Sequence, residues 1–237
     1  MKIKLIFTML IMVLSFAVNG QKNDIVEASS GDNINELVSE GRRYLFSDFT
    51  QGTVYYKNGT STRAMLNYDI FLGEMQFVNL LTYKLMALSE LSEISYVVVA
   101  GKHFIQFKGG EFVEVLVGGD VRLAVRRKGS AISLAQTGAY GGVDPTASTS
   151  GYRSTSSEIG GSSTKLTLKE NIKISVDYFY YLVKSDDKFK KVNGLRTYLK
   201  EYPKDKADAI QRYAKENSIQ FSSEADLVKL TEYCNQL

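Results

Sequence analysis

The chain has 237 residues, of which 44% are hydrophobic and 23% charged, and its net charge at pH 7 is +3. This near-neutral balance argues against nucleic acid as a partner, because phosphate recognition requires a clustered basic surface. The only cysteine is Cys234, which excludes an intrachain disulfide, so the hydrophobic core has to hold the fold together.

The N-terminus has the three parts of a signal peptide. Lys2 and Lys4 supply positive charge, the run from Leu5 to Val18 is almost entirely apolar, and Val18-Asn19-Gly20 precedes the expected cleavage point. A membrane-spanning helix needs roughly 20 apolar residues, more than this run provides. We therefore predict that residues 1–20 are a signal peptide, with an uncleaved N-terminal anchor as the alternative. Cleavage removes two lysines and lowers the net charge to +1.

Residues 21–50 are predicted to be a polar leader followed by a short helix or strand. The stretch from Gly52 to Val78 is rich in β-forming residues, with turn signals at Asn58-Gly59 and near Leu72-Gly73-Glu74. Asn-Gly favours a type I′ hairpin turn, which needs positive φ at both central residues. Leu80 to Met86 is predicted as a further strand, and Leu88 to Glu93 as a helical turn.

Glycines divide the next part of the chain into four β-rich runs, at 94–100, 103–108, 111–117 and 121–127. This spacing predicts that residues 51–128 form an antiparallel β meander. A two-residue turn at Gly109-Gly110 pairs Lys108 with Glu111 and Phe107 with Phe112, which are favourable cross-strand matches.

The valines predict the register of the last two runs, because a slip by one residue moves every side chain to the other face. A three-residue loop at 118–120 pairs Val117 with Val121, Val115 with Leu123 and Val113 with Val125. The core face is then expected to hold Phe104, Val113, Val115, Val117, Val121, Leu123 and Val125. The partly wet face is expected to carry His103, Ile105, Glu114, Arg122 and Arg126.

The composition changes at residues 129–164, which are rich in Gly, Ser and Thr. Such a stretch buries little apolar surface, so we predict a flexible loop, with a ligand- or partner-contacting loop as the alternative. Residues 165–185 return to strand character, and the run from Ile172 to Val183 is apolar on both sides, which indicates a strand covered on both faces.

The last part of the chain, 186–237, is predicted to be helical. Leu195, Tyr198, Leu199 and Tyr202 follow helical spacing up to Pro203, and a second helix starts near Pro203–Asp205. A capping box of Ser223 with Asp226 starts a third helix. The apolar face of this third helix is predicted to be Leu227, Leu230, Thr231 and Cys234.

No residues assemble into a recognisable catalytic, cofactor or metal motif. His103 is the only histidine, and Cys234 lies on a helix face where thiols are usually inert. Asp69 and Glu74 flank a turn, and paired carboxylates are the requirement of glycoside hydrolysis, but ordinary solvated turn residues are the better explanation of the pair. The glycine pairs lack the context of a phosphate loop, and the Asn58-Gly59-Thr60 sequon is explained by its turn.

Two further features have a structural and a binding interpretation. Arg122, Arg126, Arg127 and Lys128 form a small basic stretch, which is typical of a charged edge strand or of an anion site. Tyrosine-rich strands such as 178–181 make either core or a binding face.

Three stretches resemble an uncharacterised family of secreted or periplasmic proteins of Bacteroidota. They are GTVYYKNG followed by LNYDIFLGEMQF, then LSEISYVVVAGKHFI, and near the end YLKEYPKDKADAIQRYAKENSIQFSSEADLVKLTEY. Gln21, directly after the cleavage point, suits the same group. The resemblance covers most of the chain after residue 20. It implies an exported, periplasmic or outer-membrane-associated protein and supplies no catalytic residue.

The sequence therefore predicts an α+β protein: an antiparallel twisted β-sheet or partial barrel (meander) with a C-terminal helical segment. The expected function is non-enzymatic binding of another envelope protein or a surface glycan, without cofactor or metal. The alternatives are a hydrolase of an envelope polymer that uses Asp69 and Glu74, or a carrier of a small apolar ligand.

Overall fold

The computed structural model of the protein describes residues 24–28, 40–134 and 170–237. The predicted stretches 135–164 and 165–169 lie outside these residues. The described strands are β1 (Asp24–Ala28), β2 (Thr50–Tyr56), β3 (Ser61–Asp69), β4 (Glu74–Val78), β5 (Leu85–Ala87), β6 (Ile94–Val99), β7 (Lys102–Gln106), β8 (Phe112–Val117), β9 (Arg122–Leu134), β10 (Glu170–Val183) and β11 (Phe189–Lys191). The α-helices are α1 (Glu40–Arg43), α2 (Leu195–Glu201), α3 (Ala207–Glu216) and α4 (Glu224–Gln236), and short 3₁₀ turns lie at Leu91–Glu93, Lys108–Gly110 and Lys204–Lys206.

One antiparallel open sheet contains all of the described strands. Its order is β1-β10-β9-β8-β7-β6-β2-β3-β4-β5; β1 pairs with the first residues of β10, and β11 pairs with the last residues of β10. The α+β class, the antiparallel sheet and the C-terminal helical segment are therefore confirmed. Within the described ranges, no helix is both long and apolar enough to cross a membrane.

The C-terminal helices cover one face of the sheet, which we call the helix face. Leu123 and Val125 of β9 and Leu182 of β10 pack there against the three helices. The Ser223 hydroxyl accepts the Asp226 backbone N–H at 3.3 Å, which confirms the predicted cap of α4. The predicted apolar face of α4 is also confirmed, since these side chains are buried: Leu227, Leu230, Thr231 and Cys234.

A second core lies on the same face, farther along the sheet. It is built around Val54, Val97 and Phe104, which occupy neighbouring positions on β2, β6 and β7. The sheet curls over this core, because the Tyr68 hydroxyl of β3 donates to the Phe112 carbonyl of β8 at 2.9 Å. The curl encloses the second core between the two halves of the sheet.

The turn between β3 and β4 closes this curl. The Gly73 carbonyl accepts the Phe112 N–H at 2.7 Å, and the Ile70 carbonyl accepts the Gly129 N–H at 3.1 Å. The ring of Phe71 lies directly on Gly129, where a β-carbon would be 2.6 Å from it. Contacts far apart in sequence thus bring the first hairpins onto β8 and β9.

The predicted turn at Gly109-Gly110 is wrong by one residue. Gln106 lies opposite Phe112, and the Phe107 N–H donates to the Glu111 carbonyl at 2.7 Å across a three-residue loop. This register places Phe112 on the same face as Phe104, so that both rings enter the second core.

The predicted valine register is also wrong. Val115 lies opposite Ala124 and Val117 opposite Leu123, with a bulge between the two pairs. The bulge moves Val117 to the helix face, while Val113 and Val115 remain on the other face. Val113 is nevertheless buried, because a small core with Ala124 and Val183 forms there.

Several other expectations differ from the structure in detail. Among the residues of the Asn58-Gly59 turn, only Gly59 has positive φ, so the turn is not type I′; the Asn58 side chain instead accepts the Thr60 N–H. In the predicted strand 80–86, only Leu85 onward is paired. β9 continues to Leu134, inside the stretch predicted as a loop, and β1 lies inside the predicted leader.

Candidate functional site: an aromatic and basic groove

The carboxylates of the hydrolase hypothesis are cross-strand neighbours, since Asp69 lies opposite Glu74. Asp69 is fully buried, so the interpretation as a solvated turn residue is wrong for it. One carboxylate oxygen accepts Arg43 Nε at 2.7 Å and Gln76 Nε2 at 3.3 Å, and the other accepts the N–H groups of residues 71 and 72, both at 3.0 Å. Four donors occupy its acceptor sites, so Asp69 has a structural role that leaves no lone pair directed at a substrate.

The remaining candidate residues are not brought together as a catalytic group. His103 is exposed on β7, whereas Cys234 is buried in the helical core, where burial raises the pKa of its thiol to about 12. A thiol with such a pKa remains protonated at neutral pH and is a poor nucleophile. Within the described part of the chain, no three His, Cys, Asp or Glu side chains are grouped to hold a metal ion.

The basic stretch 122–128 lies on an interior strand, so the edge-strand interpretation is wrong. Its arginines alternate between the faces and each has an acidic partner. Arg126 makes a two-point contact with Glu111, at 2.5 and 2.6 Å, and Arg127 contacts the buried Glu114 at 2.5 Å on the helix face. Glu114, predicted to be partly wet, is thus a buried ion-pair partner.

The face of the sheet opposite the helices carries a groove of about 1100 Å³, which crosses β6, β7 and β8 and is bounded by the chain from Asp187 to Lys190. We call this the groove, and its face the groove face. Its floor includes His103, Ile105 and Val115, which point away from the helix face because side chains alternate along a strand. A groove of this size is slightly above the usual range for small-molecule pockets, about 300–1,000 Å³. It suits an extended ligand.

Stacked aromatic rings lie on the groove face, and two of them, Tyr96 and His103, line the groove. Tyr55 and Tyr96 stack with centroids 4.5 Å apart, and His103 stacks on Tyr96 at 6.1 Å. Tyr96 and His103 therefore bring a hydroxyl and an imidazole to the groove lining, and both groups can form hydrogen bonds.

A second aromatic cluster includes two residues of the groove lining, Phe107 and Phe189. Phe107 makes an edge contact with Phe189 at 4.8 Å and lies 5.1 Å from Tyr181. The Arg126 guanidinium lies 5.4 Å from the Phe107 centroid, held there by Glu111, and this ion pair raises the pKa of Arg126. The contacts of Phe189 with these rings hold the chain from Asp187 to Lys190, which forms the wall of the groove, against the sheet.

The lining of the groove is strongly cationic. Asp187 is its only carboxylate among the described lining residues, and it is already bound to Arg122 at 2.6 Å. Within the described residues, Lys57, Lys108 and Lys190 have no acidic group in salt-bridge range. The cationic lining residues are Lys57, Lys108, Arg122, Lys188 and Lys190.

Sequence reasoning identified part of this site. The tyrosine-rich run 178–181 contributes Tyr181 to the groove face, whereas Tyr178 lies on the other face near Arg127. The wall, Asp187 to Lys190, lies within the run KSDDKFKK at 184–191, and the lysines of this run are the sequence signal for a cationic site.

The fold and the groove define a class of protein: a curled antiparallel sheet with helices on one face and a cationic, aromatic groove on the other. Comparison with protein-family models, with curated proteins and with solved structures finds no match for this chain.

Proposed function

We propose that this chain is an exported cell-envelope protein of the non-enzymatic binding type, and that its groove holds an acidic surface glycan. The observation that carries the proposal is the charge of the groove: five cationic side chains line it with one carboxylate, and after Arg122 has paired with Asp187 and Lys188 with Asp186 outside the lining, three lysines keep their charge without an acidic partner among the described residues. A low-dielectric cleft with one sign of charge concentrates ligands of the opposite sign. Export rests on the predicted signal peptide, and a periplasmic or outer-membrane-associated location on the resemblance to secreted proteins of Bacteroidota.

The polar groups of the groove lining support a glycan. The Tyr96 hydroxyl and the His103 imidazole supply both donors and acceptors, which match sugar hydroxyls, while the lysines supply charge for carboxylate or sulfate groups. The open form of the groove suits a polymer that passes through it. An acidic segment of another envelope protein is the second candidate ligand, since it offers the same charge without the hydroxyls.

The two other hypotheses have less support from the geometry. A hydrolase based on Asp69 and Glu74 needs a carboxylate that can act on substrate, and Asp69 is occupied by four donors. A carrier of a small apolar ligand needs interior space, and side chains of the second core fill the curl of the sheet.

Retention on immobilised polygalacturonate tests the proposal, with neutral dextran and poly-glutamate as comparison matrices. We expect residues 21–237 to bind polygalacturonate and not to bind dextran. Rising salt should elute the protein from polygalacturonate, because salt screens exposed charges. The double variant Lys108→Glu and Lys190→Glu should weaken binding roughly tenfold or more, since it reverses two charges in the groove.

Lys215→Glu with Lys229→Glu is the matched control, because both lysines are exposed on α3 and α4, away from the groove. This control should leave retention unchanged. Equal loss in both double variants would show that only net charge matters and would contradict a groove site. Stronger retention on poly-glutamate than on polygalacturonate would favour the protein ligand. Release of reducing ends that is lost in Glu74→Gln, a variant expected to remain folded, would instead establish the hydrolase.

A further inference from the structure

The connection between β4 and β5 exposes large apolar side chains to an unusual degree. We call residues 79–84 the tip. Leu80 is 68% exposed, Leu81 92% and Tyr83 83%. Of the seven large hydrophobic side chains that are exposed among the described residues, five lie between 80 and 86. Single exposed leucines are normal on a protein surface, but a contiguous patch indicates an interaction site.

Hydrogen bonds within the tip hold its backbone in a defined conformation. The Asn79 side-chain oxygen accepts the N–H groups of Leu81 at 2.9 Å and Thr82 at 3.2 Å. The Asn79 backbone closes the loop, since its N–H donates to the Lys84 carbonyl at 2.9 Å and its carbonyl accepts the Tyr83 N–H at 2.7 Å. Tyr83 has a φ of 55°, a conformation that is costly for a residue with a side chain. The backbone thus fixes the outward direction of the apolar side chains.

From this geometry we propose that the tip inserts into a lipid surface and thereby attaches the protein peripherally to a membrane. Within this connection the most exposed large apolar side chain is Leu81. Exposure is lower at Leu85 and Met86, 39% and 38%, where β5 begins. A side chain that is 92% exposed protrudes and needs no shaped pocket in order to be buried in lipid.

The chemistry of the tip also fits a membrane interface. Tyr83 has an apolar ring with a polar hydroxyl, which is the combination enriched where lipid meets water. Lys84 is exposed beside it, and a long lysine side chain can keep its charge at the headgroups while its stem lies in lipid. The stretch 79–88 contains no Asp or Glu, so its only charge is attracted to anionic headgroups.

Vesicle flotation of residues 21–237 tests the proposal, with phosphatidylcholine vesicles and with vesicles that also contain phosphatidylglycerol. Omitting residues 1–20 prevents their apolar run from binding the vesicles itself. We expect binding to both, tighter to the anionic vesicles. Leu81→Asp should reduce binding to both by about tenfold or more, because a carboxylate opposes insertion. Lys84→Gln should reduce only the preference for anionic vesicles.

Leu237→Asp is the matched control, because Leu237 is an exposed leucine, 42% accessible, outside the tip. It should bind vesicles as the unaltered chain does. Both aspartate variants should keep the unaltered melting temperature, since neither leucine is part of a core. Absence of flotation by the unaltered chain, or unchanged flotation of Leu81→Asp, overturns the proposal. The proposal is also overturned if the protein does not bind vesicles and Leu81→Asp abolishes binding to one specific envelope protein. The tip would then be a protein-binding site.

Discussion

At the scale of single residues, the pair of neighbouring carboxylates shows how environment separates two similar groups. Asp69 is buried and accepts hydrogen bonds from a guanidinium, an amide and two backbone N–H groups. Glu74 is partly buried beside it, and its pKa is raised, first by burial and second by the negative charge of Asp69. The ionised form of Glu74 is therefore energetically less favourable in the folded protein than in the unfolded chain.

The first prediction concerns Glu74→Gln, which should stabilise the protein at neutral pH. Because the folded-state pKa of Glu74 exceeds its ordinary value of 4.5, the folded state binds the proton more tightly, and stability falls as pH rises through that interval. Removing the charge should raise the melting temperature at pH 7 by roughly 1–4 °C. The difference should disappear below pH 4.5, where both chains are neutral at this position.

Thermal unfolding at a series of pH values measures this effect, and Glu232→Gln is the control because Glu232 is exposed on α4. The control should show no pH-dependent gain. A Glu74→Gln variant that is less stable at every pH would mean that the carboxylate makes a favourable contact that outweighs its burial.

At the scale of elements, local signals predicted what each segment forms, and contacts between segments decided how the segments align. The Ser223 cap and the spacing of Leu227 and Leu230 are contained within one helix, so the sequence was sufficient for α4. The bulge in β8 was not predictable in this way. The bulge allows burial on both faces of the sheet. Val113 is buried in the small core on the groove face, and Val117 is buried in the helical core on the other face.

The groove was predictable only in part, for the same reason. Its floor comes from β6 to β8 and its wall from the chain around the start of β11, so Tyr96 and Phe189 line the same groove although 93 positions separate them in sequence. The aromatic and basic composition of these segments was visible. Their assembly depends on the long β9–β10 pairing, which no local pattern specifies.

The second prediction tests the closure of the sheet at Gly129. A β-carbon there would lie 2.6 Å from the Phe71 ring, although the φ of Gly129 is one that other residues adopt. Gly129→Ala should therefore destabilise the protein by about 1–3 kcal/mol through overpacking. Combining it with Phe71→Leu should recover part of this loss, because the smaller side chain makes room for the methyl group.

Denaturant unfolding measures the change, and Gly118→Ala is the control. Gly118 has open space around its β-carbon position and needs no positive φ, so this variant should be neutral. If the two alanine variants were equally destabilised, the loss would come from backbone effects and the Phe71 contact would not be the cause.

At the scale of the whole molecule, one sheet carries both cores, and a row of charges lies between them on the helix face. Glu114 of β8 binds Lys102 of β7 through one oxygen and Arg127 of β9 through the other. Glu114 and Arg127 are buried, so each depends on its partner for compensation. The shared strands and this row should couple the helical core to the curled part of the sheet.

The third prediction is that the two cores unfold as one cooperative unit. Leu230→Ala removes a fully buried side chain from the helical core, at a cost of about 2–5 kcal/mol. Hydrogen exchange should then show the same loss of protection in α4 and in β6 (Ile94–Val99), although β6 belongs to the other core. Leu237→Ala, at an exposed position, should change neither. Protection that falls in α4 and persists in β6 would show that the helices unfold separately from the curled sheet. In that case β8 and β9 would support two independent units, and the groove, which lies across the strands from β6 to β8, would remain intact after the helices had been lost.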